Sequence, residues 1–235
     1  MIASAALGND GIATPSAATR LSDAVDTVAG VRIRALGRTA YVDTWRAMQS
    51  FTDSRADDTP DEIWLTEHPP VYTLGLGARP QHVLRSTAIP IVKVDRGGQV
   101  TYHGPGQLLA YLMFDLRRQR VGVRALVRSI ENAVIEWLGI RGVRAHGKPT
   151  APGVYVHIDQ EEAKIAALGL KIRNGCSYHG VSVNIAMDLQ PFSDIDPCGY
   201  PGLRVTQLVD LGVQSSVAQA GAELAPLLAR HLLSH

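Results

Sequence analysis

The spacing of apolar positions changes along this chain, and each change marks an element. Tyr41, Trp45 and Met48 recur at i, i+4 and i+7, which predicts a helix over 39–52. Short apolar runs at 63–65, 71–74, 89–94 and 108–116, separated by proline and glycine, predict strands. From 121 to 138 the period lengthens again: Val123, Leu126, Val127, Ile130, Val134, Trp137 and Leu138 share one helical face, with Gly139 as the stop. Strand-like runs return at 153–158, 165–172 and 181–185. A last helix carries Val217, Ala220, Leu224 and Leu228, and Pro226 is expected to kink or divide it. Grouped strands with irregularly placed helices predict an α+β fold, with a mixed sheet and flanking helices, rather than regular βαβ winding.

Composition narrows the class. The 235 residues are 46% apolar and 19% charged, and 23 basic against 22 acidic side chains leave a net charge of +1. Nothing in that balance favours nucleic acid or an anionic membrane as a partner. Residues 1–30 are rich in Ala, Ser, Thr and Asp with Arg20 as the one basic residue, which fits neither a secretory signal nor a transit peptide. They read as a flexible extension ahead of a single domain at 31–235. No apolar run approaches the ~18 residues of a membrane span, so a cytoplasmic protein with reduced thiols is expected. Neutrality hides two local departures: 53–62 carries five acids and one arginine, and 117–148 carries eight basic and two acidic side chains.

The densest chemistry lies at 96–107. Four glycines there allow close backbone approach to a ligand, while Arg96, Gln99, Thr101, Tyr102 and His103 supply polar ends. The segment is neither a dinucleotide fingerprint nor a P-loop. Its plainer reading is a pair of tight turns between strands. Two cysteines exclude a disulfide scaffold and a Cys-rich zinc site. Cys176, at the start of a strand, reads as a core residue, whereas Cys198 sits among prolines and glycines that leave its sulfur reachable, the better place for a nucleophile. A cation to stabilise that thiolate would come from Lys164, Lys171, His103 or His179. Lys164 heads an otherwise apolar strand, where its stem is buried and its ammonium can point into a cleft. The other histidines show no metal-ligand spacing.

These residues resemble the lipoyl(octanoyl) transferases. The resemblance runs from about Leu36 to about Leu211 and rests on the order of six blocks: 64–73, 96–107, 151–156, 164–169, 179–184 and Asp196-Pro197-Cys198-Gly199. It implies a catalytic domain similar to those of biotin and lipoate protein ligases. The implied reaction moves an octanoyl group from octanoyl-acyl carrier protein, through a cysteine thioester, to a lysine on a lipoyl domain. Cys198 matches the acyl-thioester nucleophile, and Lys164 the lysine that lowers its pKa. Substrate contacts map to Arg96, Gly97, Gly98, Gln99, Val100, Thr101, Tyr102 and His103, to Ala167, Leu168 and Gly169, and to Gly180, Val181 and Ser182. The resemblance implies no metal and no cofactor beyond the carrier's own phosphopantetheine. Its partners are acyl carrier protein, the lipoyl domains of 2-oxoacid dehydrogenase complexes and the glycine cleavage H protein, and the enzyme is expected to act as a monomer. The basic stretch at 117–148 offers a surface to steer such acidic partners. One departure stands out: 157–163 is longer and more acidic than the family's short turn. Two other readings are a ligase that activates lipoate or biotin with ATP, against which the Pro-Cys-Gly block argues, and a non-catalytic carrier-protein binder.

Overall fold

The computed structural model describes residues 25–85, 87–197 and 202–234. In chain order the elements are β1 (Val25–Val28), β2 (Val31–Arg38), α1 (Tyr41–Asp53), β3 (Glu62–Glu67), β4 (Val71–Leu74), β5 (Ile91–Lys93), β6 (Val100–His103), β7 (Gln107–Met113), α2 (Leu116–Gln119) and α3 (Val123–Ile140). They are followed by β8 (Ala145–Gly147), β9 (Val154–Ile158), β10 (Glu161–Arg173), β11 (Cys176–Asn184) and α4 (Val217–Leu233). Eight strands form one mixed sheet in the order β1-β2-β3-β7-β11-β10-β9-β8, and β5-β4-β6 form a second, small sheet. Within them the β2–β3 and β4–β5 pairs are parallel and the others antiparallel.

The central strands are covered on both faces. Every residue of β7 and β11 is buried, and the two-residue alternation sorts their side chains. Leu108, Ala110, Leu112, Val181 and Val183 face α3 and α4 in the main core, with Ile130, Val134, Trp137, Leu224 and Leu228. Leu109, Tyr111, Met113 and Tyr178 face the other way, where Met48 of α1 and Trp64 close a second core. Each large side chain buried in this way contributes about 1.5–3 kcal/mol. The small sheet lies over a third cluster with Tyr72, Tyr102 and Phe192.

Several expectations shift in detail. β1 already pairs with β2, so the sheet begins before position 31; residues 1–24 lie outside the described residues. The helix expected to stop at Gly139 runs on to Ile140. It ends where Gly142 takes a positive φ of 77° and the Val143 N–H returns to the Leu138 carbonyl at 3.0 Å. The glycine-rich segment contains a strand, β6, hidden by its polar Thr-Tyr-His lettering.

Pro226 neither divides nor ends α4, which continues through it to Leu233. The carbonyl it leaves without a helical donor is that of Ala222, on the exposed side, where water is available. Leu224, Ala225, Leu228, Ala229 and Leu232 hold both halves of the helix against the core. Pro226→Ala should therefore restore a hydrogen bond without disturbing packing, raising the unfolding free energy by about 1–3 kcal/mol in urea titrations. A variant no more stable than wild type would show that the proline is compensated.

Candidate active site

A cavity opens between the small sheet and strands β7, β10 and β11 of the large sheet. Three of the segments that line it are far apart in sequence: Arg96, Gly98, Gln99, Val100, Thr101 and His103; Ala167, Leu168 and Gly169 of β10; and Gly180, Val181 and Ser182 of β11. β10 and β11 are adjacent, with Gly169 opposite Gly180, so the last two blocks meet through strand register. The first is pinned to them where the Gly97 N–H donates to the Leu170 carbonyl at 2.8 Å. Gly97 itself lines a neighbouring groove with Lys164, Leu168 and Gly169. At Gly180 a Cβ would fall 2.0 Å from the Ala110 carbonyl oxygen, so β7 and β11 approach this closely only with glycine there.

The cavity lining differs from the expected contacts in two ways. Tyr102 does not line this cavity. Alternation along β6 turns it into the third cluster, where its ring meets Phe192 edge-on at 5.5 Å. Tyr41, Leu109, Tyr111 and His179 do line it. No motif marked the first three, because they lie on α1 and β7, outside the glycine-rich blocks.

Polar side chains around the cavity are tied into networks. Arg96 is buried and donates from Nη2 to the Thr73 carbonyl and hydroxyl oxygens at 2.7 and 2.8 Å. His103 is paired through Nδ1 with Gln107 Oε1 at 2.7 Å, and Gln107 donates on to Asn184 Oδ1 at 2.9 Å. Burial pushes His103 down to about 3, so it is neutral at ordinary pH and is no cation for a thiolate. His68 is likewise pushed down to about 4 by burial; its Nδ1–H donates to the Thr39 carbonyl while Nε2 accepts from the Tyr111 hydroxyl, each at 2.7 Å.

Asp95, just before Arg96, is the hub of a cluster the sequence did not single out. Its Oδ1 accepts from Trp45 Nε1 and His179 Nε2, both at 2.9 Å, and its Oδ2 from Gln49 at 3.1 Å and the Tyr178 hydroxyl. Burial raises its pKa, but these donors outweigh burial and hold the carboxyl well below its usual range. Burial pushes His179 down against the pull of Asp95, which leaves a neutral ring donating at Nε2. Its buried Nδ1 is then an acceptor with no partner among the described residues.

Lys164 is 3% exposed. A register shift in β10 between Lys164 and Ala166 marks the place where it leaves regular pairing. Its N–H donates to the Arg204 carbonyl at 2.9 Å and its carbonyl accepts from Thr206 at 3.0 Å. Its ammonium lies 5.0 Å from the centre of the Tyr155 ring and donates to the Pro152 carbonyl at 3.4 Å. Glu131 of α3, 7% exposed, accepts from the Gly153 N–H at 2.8 Å. Its carboxyl is raised by burial, partly offset by that bond and by the charge of Lys164. Pro197 and Leu203 line one small cavity with Lys164. Cys198, with Gly199, Tyr200 and Pro201, lies between them and outside the described residues. Cys176 is buried on β11, and burial raises its thiol pKa.

The architecture is that of the lipoate and biotin protein ligase catalytic domains. A chain in the structure of an archaeal lipoylation system from Thermoplasma acidophilum, a bipartite lipoate protein ligase and its E2 lipoyl domain, superimposes with a TM-score of 0.68 at 17% identity, covering 85% of this chain and 82% of that one. Biotin protein ligase from Aquifex aeolicus in complex with biotin and ATP gives 0.52 at 10% identity, covering 85% and 69%. The family model described as the lipoyl protein ligase A/B catalytic domain matches residues 40–226. Two relatives named octanoyltransferase, from Chromobacterium violaceum and Laribacter hongkongensis, are 57% and 55% identical, covering 85% and 86% of this chain and 95% and 96% of theirs. The chain belongs to the lipoyl protein ligase A/B catalytic-domain family, in its lipoyl(octanoyl) transferase branch, and is an acyltransferase.

A carboxylate held below its unfolded pKa contributes stability that is fully present above about pH 4 and is lost as pH falls toward the folded value. Asp95→Asn should therefore lower stability at pH 7 and flatten the decline between about pH 4 and pH 2. Urea midpoints across that range check both effects, and an unchanged slope would remove Asp95 from the acid transition.

Proposed function

We propose that this enzyme takes an octanoyl group from octanoyl-acyl carrier protein onto Cys198 as a thioester and passes it to a lysine of a lipoyl domain in the cytoplasm. The observation that carries the reading is the setting of Lys164. It is a buried ammonium that shares one cavity with Pro197 and Leu203, the two sides of the segment containing Cys198, and it adjoins the groove formed by the glycine-rich blocks. The names of the relatives at 57% and 55% identity supply the acyl group.

The chemistry balances with Lys164 as proton carrier. Its ammonium stabilises the Cys198 thiolate, which adds to the donor carbonyl. As the adduct collapses, the carbon–sulfur bond to the carrier breaks and Lys164 gives its proton to the departing thiolate. Neutral Lys164 then takes a proton from the acceptor amine as that amine displaces Cys198. Amide and free carrier thiol are the products, and thiolate and ammonium are restored.

The eight basic side chains at 117–148 have different fates. Arg117, Arg118, Arg141 and Lys148 are paired with Asp115, Asp61, Glu223 and Glu162. Arg120, Arg124, Arg128 and Arg144 are exposed without an ion pair among the described residues, and these would steer an acidic carrier protein or lipoyl domain.

Incubation with octanoyl-acyl carrier protein and no nucleotide should add one octanoyl group, seen by intact mass and mapped to Cys198. Cys198→Ala should carry none, and Cys176→Ala should carry it normally. Adduct formation in Cys198→Ala, or a strict need for ATP, refutes the reading. In Lys164→Met, alkylation of Cys198 should require higher pH than in wild type; an unshifted profile would remove Lys164 from thiolate stabilisation.

A further inference from the structure

We propose that His146, His157 and Glu162 form a site for a divalent transition-metal ion of the zinc type, separate from the acyl-transfer cavity. The three residues sit on three neighbouring strands at the free edge of the large sheet: His146 on β8, His157 on β9 and Glu162 on β10. Glu162 lies directly opposite His157, and His146 opposite Tyr155, two residues along β9. Alternation places all three side chains on one face, opposite the one that buries Val154, Val156 and Ala163.

Their ligand atoms lie within 4.8 Å of one another. His146 Nε2 and Glu162 Oε1 are 2.9 Å apart. A tetrahedral zinc with bonds of about 2.0–2.1 Å separates its ligands by ~3.3 Å, so no pair of ligand atoms has to close by more than about 1.5 Å. Two imidazoles and one carboxylate are a donor set that zinc accepts, leaving a fourth position for water. The half-exposed face gives that water access.

The surroundings already orient these groups. The His146 ring lies between Tyr155, at 6.0 Å, and His157, at 5.0 Å and nearly parallel. Lys148 pairs with Glu162 Oε2, which leaves Oε1 turned toward the histidines. A salt bridge alone accounts for Lys148, Glu162 and His146, but it gives His157 no part. Two of the three ligands also come from 157–163, the segment longer than the family's turn. There Asp159 and Gln160, both at positive φ, make the two-residue hairpin that sets His157 against Glu162.

Such an ion would clamp the three-residue edge strand β8 to β9 and β10. Its charge would also be opposed by the Lys148 ammonium that shares the Glu162 carboxylate through the other oxygen, which makes the proposal specific. The full chain is titrated with Co²⁺ by absorption and with Zn²⁺ against a chromophoric chelator. One ion per chain is expected, with d–d bands and no thiolate-to-cobalt charge-transfer band. His157→Ala and Glu162→Gln should each weaken binding by at least about tenfold, and Lys148→Met should tighten it. Far-UV circular dichroism checks that these surface variants fold. Equal binding by wild type and the His146→Ala/His157→Ala double variant overturns the site. So does a charge-transfer band, which would put the metal on a cysteine, and so does a Lys148→Met variant that binds no tighter.

Discussion

Polar groups placed inside a sheet that is covered on both faces have to be satisfied by the protein itself, and this requirement organises the molecule. An unpaired buried donor or acceptor costs about 1–3 kcal/mol, a large share of a domain's net stability. The pairings here run across elements rather than along them. Arg96 reaches back to Thr73 on the small sheet. His103 passes to Gln107, Gln107 to Asn184 and Asn184 to the Thr206 carbonyl. Asp95 gathers Trp45 and Gln49 from α1 and Tyr178 and His179 from β11. The last two chains of bonds join the small sheet or a helix to the large sheet, so the walls of the cavity and the coherence of the fold depend on the same contacts.

The same requirement explains where Lys164 can exist. A buried ammonium needs carbonyls, aromatic faces or carboxylates to replace water. The Pro152 carbonyl, the Tyr155 ring and, more distantly, Glu131 provide them. Two of these belong to the start of β9 and the turn before it, and the third to α3. The chain past position 202 adds backbone pairing at Arg204 and Thr206. Lys164 is thus held at a junction of four segments, which fixes its position better than a loop would.

Relatedness to the ligases is a matter of frame. At 17% and 10% identity those domains share the arrangement of sheet and helices but little lettering. The relatives at 57% and 55% identity share the lettering as well. The cavity beneath a glycine-rich segment follows from the frame. The cysteine between Pro197 and Gly199 is a feature of sequence.

Local chemistry alone determined a good deal about this protein. Apolar periods located α1, α3 and the central strands, because a face buried against a core must repeat with its element. The ordered blocks identified the family, and the glycine-rich segment announced a place of close backbone approach. Tertiary structure decided the rest, because it depends on which strands become neighbours. Strand order put Gly169 beside Gly180 and turned Tyr102 away from the cavity that Thr101 and His103 line. It made Asp95, silent in sequence, a hub of four donors, and it neutralised half of a basic stretch with acids from elsewhere. It also brought His146, His157 and Glu162 together across three strands, where linear spacing showed no metal pattern. Side-chain period is a property of one segment; pairing, burial and charge balance are properties of segments brought together.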